Sequence, residues 1–398
     1  MSGSAPLISP TASKKQWTES LNYKFRPIHL EFGSSEMSDH MAYIGLGGNI
    51  GDRTDSLLKA LSLLNQHPQV FAVCPSSFYE TPPLGPVEQP PFLNAVAKVV
   101  TSLSERRLFE LLQSIERQMD RRPSGHWGPR GIDLDLLLYG DSVVDEPDLK
   151  IPHPQMHLRT FVLNGLCQLA PEAVHPVLKR TALELSARLG GMDYFFDPSR
   201  PQLVSIAGNI GVGKTTLAQN LAKRLDGQFI AENYADNPFL ADVYAGQRDL
   251  ALDSELFFLS SGASQLEKRR LQAGRVYISD YVFDKAMIYA SSWLDARQMW
   301  EYKRCYASVA DGVAPPVLII YLNDTLARCM DRIHLRNRPY EQRIENSFLE
   351  HLQNGYETLF RDYTACPVMR MTSNDCWTPE QVDRVADEVR LYLAKGKP

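Results

Sequence analysis

Apolar residues recur along the chain in two rhythms, and the change of rhythm divides it. Ala42–Leu46 is a short apolar run that reads as a strand, and it enters a Gly-rich turn. Leu57, Leu58, Leu61 and Leu64 then fall on one helical face. Phe92–Val100 alternates like a strand, Leu108–Met119 returns to the helical period, and Ile132–Leu138 is a buried-strand run. Antiparallel strands with helices on one face predict an α+β sandwich over residues 41–190. Residues 191–202, GMDYFFDPSRPQ, gather Gly, Asp, Ser and Pro and read as a linker. From 203 to 398 the pattern changes. Leu203–Ala207, Phe229–Ala231, Val276–Ser279 and Val317–Leu322 read as strands separated by helical stretches, the first of which carries Leu217, Leu221 and Leu225 on one stripe. Such alternation predicts an α/β unit with a parallel sheet and helices on both faces. The halves share no internal repeat.

Residues 1–38 follow neither rhythm. They are Ser/Thr/Pro-rich, lack the apolar core of a secretory signal, and read as a disordered tail. A transit peptide is the alternative, weakened by Glu19 and the shortage of Arg; Met37 or Met41 would serve as a start just ahead of the first strand. At 398 residues, two or three domains are expected. The net charge of −5 makes general nucleic-acid binding a poor fit, and no apolar run approaches the roughly 20 residues of a membrane helix. The six cysteines show no metal-site spacing, which suits reduced thiols in a cytoplasmic protein.

In the second unit, Gly208-Asn209-Ile210-Gly211-Val212-Gly213-Lys214-Thr215 has the Walker A spacing, followed by Thr216, between a strand and a helix N-terminus. Backbone N–H groups cradle phosphate, Lys214 reaches the β and γ phosphates, and the Thr215 hydroxyl suits Mg²⁺. Glu232 follows the second strand, where a carboxylate can take a proton from an attacking hydroxyl. Asp280 ends the third strand, within reach of Mg²⁺. Arg332 and Arg336 are four apart and share a helix face, and with Arg338 they could clamp phosphates. Taken singly, each acid or Arg run also fits a solvated surface.

GNIGVGKTTLAQNLA, E-N-x-x-x-N-P-F-L, ISDYVFDKAMIYA and R-x-R-x-x-E together resemble the deoxynucleoside kinase family over about 195 residues. The resemblance implies transfer of the ATP γ-phosphate to a deoxynucleoside 5′-hydroxyl. It makes Glu232 the base, Asp280 a catalytic acid group, Lys214 and the arginines the charge stabilisers, and Tyr281 part of the nucleoside site. Two departures stand out: Tyr281 replaces the family's Arg after the acid, and Glu255 stands where a Gln usually reads the base. An ionised carboxylate only accepts, which suits the paired donors of guanine. Gly262, in place of an expected Arg, would leave room for a purine. Deoxyguanosine is therefore the expected acceptor. A nucleoside monophosphate kinase and an inactive nucleotide-binding module are the rivals. The missing Arg argues against the first, and Glu232 with the arginine set argues against the second.

In the first unit, Asp133 and Asp135 lie two apart and share a strand face, where paired carboxylates can hold Mg²⁺. Basic Arg121, Arg122 and Arg130 flank them, and Trp127 lies between. Phe92 and Asn94 also share a face; an aromatic and an amide suit a flat, hydrogen-bonding heterocycle. AYIGLGGNIGDR, SSFYETPPLGP, FLNA, WGPRGIDLDLLLYG and IPHPQMHLRTFVL resemble, in order, the motifs of 6-hydroxymethyl-7,8-dihydropterin pyrophosphokinases over residues 42–165. The resemblance implies a ferredoxin-like sandwich that moves pyrophosphate from ATP to a hydroxymethyl group in folate biosynthesis. It implies that Asp133 and Asp135 hold two Mg²⁺ ions, with Arg121, Arg130, His153 and Arg159 at the ATP phosphates. Glu116 and Trp127 would lie near the nucleotide, and Arg130 would serve catalysis. Thr81, Pro82, Leu84, Phe92, Asn94 and Phe161 would form the pterin site, Phe92 and Phe161 sandwiching the ring. Gly48 replaces the family's usual Ser, and the loop 121–126 is about one residue short. The whole is expected to be a bifunctional ATP-dependent transferase with two Mg²⁺ in the first site and one in the second. Its partners would be small molecules, with neither nucleic acid nor membrane, and a homodimer would form through the second unit.

Overall fold

The structure, a computed structural model, describes residues 39–84, 88–119, 129–373 and 377–394. The expected tail 1–38 and the basic loop with Arg121, Arg122 and Trp127 lie outside the described residues. By contact the chain forms two compact units. One runs to His153 and includes Gln168–Ala170; the other comprises Pro154–Cys167 and the chain from Pro171 onward. The partition therefore does not coincide with the 191–202 segment.

The first unit opens with β1 (His40–Gly48), α1 (Arg53–Gln66), β2 (Val70–Pro75), β3 (Tyr79–Thr81), β4 (Phe92–Thr101), α2 (Glu105–Gln118) and β5 (Asp133–Tyr139). Asp52 and Ser104 cap the two helices by accepting from backbone N–H groups three residues on. The sheet is antiparallel in the order β2-β4-β1-β5, with β3 added on β4. Leu57, Leu61, Leu108, Leu112 and Ile115 of the helices pack on Ile44, Leu46, Ala95, Leu134 and Leu136. Period-two alternation then turns the odd positions of β1 and β5 and the even positions of β4 to the opposite face. There Gly47 pairs with Asn94 on one side and Asp133 on the other, and Gly45 pairs with Asp135. A two-stranded ribbon, β6 (Val144–Asp145) with β7 (Lys150–Ile151), completes the unit.

The second unit begins with α3 (Thr160–Leu169), whose last residues group with the first unit, then β8 (Val174–His175), β9 (Arg180–Thr181) and α4 (Ala182–Arg188). The kinase-like alternation follows: β10 (Gln202–Gly208), α5 (Lys214–Arg224), β11 (Gln228–Ile230), α6 (Leu240–Tyr244), α7 (Ala251–Gln265), β12 (Val276–Ser279), α8 (Ala286–Trp293), α9 (Ala296–Ala310), β13 (Leu318–Asn323), α10 (Leu326–Arg336), α11 (Asn346–Arg361), β14 (Val368–Thr372) and α12 (Pro379–Arg390). The sheet is parallel in the order β11-β12-β10-β13-β14. Val204, Ile206, Ile278 and Ile320 point to one core with Leu217, Ile333 and Val385. Leu203, Ala207, Tyr277 and Tyr321 serve the cores on the opposite face. Leu158, Leu163, Leu178, Leu185 and Leu189 belong to the first of these cores, which is why the stretch ahead of β10 groups with this unit. A buried pair, Arg188 with Glu388 at 2.6 Å, ties α4 to α12.

Candidate functional sites

In the first unit, the face opposite the helices gathers the predicted groups. Asp133 and Asp135 stand half-buried on β5, and Arg130 Nη1 lies 2.6 Å from Asp133 Oδ2. His153 Nε2 lies 3.9 Å from Asp135 Oδ2. Glu116, 6% exposed, accepts from Leu134 N at 2.8 Å, the peptide between the two aspartates. Its contact is thus with the strand that carries the acids. Asn94 donates to Thr81 Oγ1 at 2.7 Å, and Phe92 pairs with Thr81 across the strands, so three of the expected pterin residues sit together. Pro82 and Leu84 continue from β3.

Asn49, absent from the sequence-based set, is a hub. Its side chain donates to Gln89 Oε1 and Pro90 O and accepts from Arg130 N. Gly48 has a steric cause: a Cβ there would lie 2.4 Å from Gly131 O, so the turn can approach the strand entrance only without a side chain. Arg159 and Phe161 fall on the Pro154–Cys167 segment, with the guanidinium 5.7 Å above the Phe161 ring.

In the second unit, the ends of β10, β11 and β12 meet at one place, the carboxyl edge of a parallel sheet. The phosphate loop leaves β10 and enters α5 at Lys214. Gly211 has φ +78°, and a Cβ on it would meet Cys329 O at 2.4 Å, so position 211 tolerates only glycine. Lys214 Nζ donates to Gly208 O and Asn209 O at 2.9 and 2.8 Å, within the curl where phosphate would sit. Burial, reinforced by Lys285, lowers its pKa to about 8, and Glu232 and Asp280 oppose that shift. Thr215 Oγ1 donates to Asp280 Oδ2 at 2.6 Å, and Asp280 Oδ1 accepts Glu232 N at 2.8 Å. One buried carboxylate thereby sets both the hydroxyl next to the phosphates and the strand end bearing Glu232. Thr216 follows in the first turn of α5.

The arginines divide. Arg336 and Arg338 line a cavity open to solvent, together with Lys214, Glu232, Glu255 and Tyr281. Both pair with buried Glu341, and Arg338 also donates to the Tyr234 hydroxyl and lies 4.0 Å above its ring. Arg332 instead donates to Asp324 Oδ2 at 2.7 Å and to Gly211 O at 3.2 Å, bracing the outer side of the phosphate loop.

One expectation about the acceptor end needs correction. Glu255 is 4% exposed, and burial pushes its pKa up to about 8; Lys285 opposes the shift and Glu232 adds to it. The carboxyl is neutral at pH 7, with one donor and one acceptor, where an ionised group was expected. Gly262 lines the same cavity, and a Cβ there would stand at ordinary van der Waals distance from the Tyr281 ring, 3.5 Å, and from Phe283, 3.7 Å. Tyr281 donates to Gln265 Oε1 at 2.8 Å. Lys285, paired with Glu232, escaped the sequence reading altogether. The available signal was the charged pair Asp284-Lys285 inside the largely apolar YVFDKAMIYA.

A five-stranded parallel sheet with a Lys-Thr phosphate loop at its centre defines the second unit as a nucleotide-dependent kinase. The antiparallel sheet bearing two acids and flanking cations is a second phosphate-handling centre. Residues 43–171 match the 7,8-dihydro-6-hydroxymethylpterin-pyrophosphokinase family, and residues 204–393 match the deoxynucleoside kinase family. The 2-amino-4-hydroxy-6-hydroxymethyldihydropteridine pyrophosphokinase of Haemophilus influenzae is 43% identical over 135 residues, 34% of this chain and 84% of that protein. The deoxyguanosine kinase of Bacillus subtilis is 36% identical over 161 residues, 40% of this chain and 78% of that protein. Among solved structures, the deoxyadenosine kinase of M. mycoides with bound dATP aligns with TM-score 0.42 at 20% identity, over 48% of this chain and 99% of that one. The chain belongs to both families, as a bifunctional ATP-dependent enzyme joining a dihydropterin pyrophosphokinase to a deoxynucleoside kinase. Among the described residues, no helix is long and apolar enough to cross a membrane.

Proposed function

We propose that the first site transfers the terminal pyrophosphoryl group of ATP to the hydroxymethyl oxygen of 6-hydroxymethyl-7,8-dihydropterin, releasing AMP. The second site transfers the γ-phosphoryl group of ATP to the 5′-hydroxyl of a deoxynucleoside, with deoxyguanosine the preferred acceptor above about pH 8. In the first site Phe92 and Asn94 bind the pterin, joined by Thr81, Pro82, Leu84 and Phe161. Arg121, Arg130, His153 and Arg159 neutralise phosphate charge, and Glu116 orients β5.

The pairing of Thr215 with Asp280 and the shared face of Asp133 and Asp135 offer the hard oxygen donors that Mg²⁺ prefers. Those residues would hold the ions, two in the first site and one in the second. Bound there, Mg²⁺ offsets the negative charge of the phosphates.

In the second site the phosphate loop and Lys214 seat the triphosphate, and Arg336 and Arg338 leave Glu341 for the transferring group. Glu232 takes the proton of the 5′-hydroxyl as the new oxygen–phosphorus bond forms. The observation that carries this reading is Asp280, whose two oxygens fix Thr215 at the donor end and Glu232 at the acceptor end. Glu232→Gln keeps the shape but cannot accept the proton. Its kcat in a deoxyguanosine-dependent ADP assay is expected to fall about 10²–10⁴-fold, with ATP binding little changed. A variant within about threefold of wild type would remove Glu232 from the mechanism.

A further inference from the structure

Tyr281, which follows the acid at the end of β12, is uncharged and bonds to Gln265. A different element brings a cation to the acceptor end. Lys285 closes the short turn Phe283–Lys285 that leads into α8. Its ammonium pairs with Glu232 Oε1, and its side chain is only 12% exposed. Aromatic rings fix the approach, Tyr289 at 4.3 Å from the ammonium and Phe258 at 5.8 Å. A cation held over ring faces is attracted electrostatically and keeps one geometry. Glu232 also lines the cavity that Lys214, Arg336 and Arg338 share. The backbone N of Glu232 is already pinned by Asp280. Lys214 also feels the charge of Glu232, but its ammonium is bonded to two loop carbonyls at the phosphate position.

We propose that Lys285 is a positioning residue for acceptor activation: it grips one carboxylate oxygen of Glu232, turns the other toward the 5′-hydroxyl, and supplies the positive charge that Tyr281 does not. This rests on Glu232 as the base. As the acceptor oxygen bonds to the γ-phosphorus, the bond from that phosphorus to the β–γ bridging oxygen breaks and its electron pair leaves with ADP. The hydroxyl proton passes to Glu232 Oε2. Without Lys285 the carboxylate loses its anchor and rotates away from the hydroxyl, or swings toward Lys214. Either movement costs rate through misalignment, with the nucleotide still seated.

The test uses the full-length chain and four variants: Lys285→Met, Lys285→Arg, Glu232→Gln and the Lys285→Met/Glu232→Gln double. Lys285→Met is expected to lower kcat for deoxynucleoside phosphorylation by roughly tenfold to a hundredfold, with the KM for ATP within about threefold of wild type. Lys285→Arg keeps a cation of similar reach and is expected to recover most of the loss. Because Lys285 acts through Glu232, the double variant is expected to be no slower than Glu232→Gln alone. Pyrophosphokinase activity of the same preparations, together with circular dichroism, reports that the chain is folded. An unchanged kcat in Lys285→Met, a failure of Arg to recover it, or multiplied losses in the double variant would each overturn the proposal. A fast Glu232→Gln removes the base assignment itself, and it does so in a protein whose Lys285 is intact, so the two failures are distinguishable.

Discussion

Base choice in the second site should depend on pH, because Glu255 changes its hydrogen-bonding face within the working range. Burial raises its pKa to about 8. Below that value the neutral acid offers one donor and one acceptor, matching adenine through its N1 and exocyclic amine. Above it the carboxylate only accepts, matching guanine through N1–H and its amine. The ratio of ionised to neutral forms is 10 raised to the power (pH − pKa). With the value of about 8, it is about 0.1 at pH 7 and about 3 at pH 8.5. If each base selects one form, the kcat/KM ratio of deoxyguanosine to deoxyadenosine should rise about 30-fold between those pH values, roughly 2 kcal/mol. A ratio is the informative quantity, since titration of groups common to both reactions cancels. The assay is ADP release with each nucleoside in buffers of constant ionic strength. Glu255→Gln cannot ionise, so its ratio should be flat with pH. It should also disfavour deoxyguanosine, because one guanine donor then faces an amide donor, at a cost of about 1–3 kcal/mol. A wild-type ratio that stays constant from pH 7 to 8.5 would refute the assignment of Glu255 to the base.

The two activities should separate by mutation: Asp135→Ala abolishes AMP formation with dihydropterin and spares ADP formation with deoxynucleoside, and Lys214→Ala does the reverse, both assayed on the whole chain. Gly211→Ala should raise the KM for ATP in the kinase reaction alone, because its Cβ would collide with Cys329 O at 2.4 Å and its φ of +78° strains any side chain. Arg188→Met should leave Glu388 to its longer 3.6 Å pair with Arg180, in a site where Arg188 and Glu388 are 8% and 10% exposed. Weakening a buried pair in this way costs up to about 3–5 kcal/mol, read as a lower denaturant midpoint for loss of kinase activity, and the Arg188→Met/Glu388→Leu double should recover much of it.

Sequence spacing exposed the parts of both sites whose chemistry is local. The phosphate loop is one continuous stretch, and the acids at 133 and 135 and the pair Phe92 and Asn94 follow from strand alternation. What stayed hidden depends on partners distant along the chain. Glu255 looks like an ordinary acceptor until burial in α7 makes it neutral. Lys285 follows Asp284 in a largely apolar stretch, and its partner Glu232 lies more than fifty residues away along the chain. Arg332 and Arg336 share a helix, yet one braces the loop from outside and the other faces the cavity. β2 and β14 lacked a clear alternating pattern and emerge only from their pairing.

Leu158, Leu163, Leu178, Leu185 and Leu189 sit in the core of the kinase unit, while the pyrophosphokinase family match extends to residue 171. Ancestry and folding therefore draw their borders in different places, and the chain from 154 to 167 is claimed by both. A recombination that excised either enzyme at its border of descent would carry off leucines from the other or leave them uncovered. Once such a segment serves two masters, separation requires several compensating changes at once. The fusion would then persist in a lineage by the difficulty of undoing it, whether or not the two reactions ever exchange a molecule.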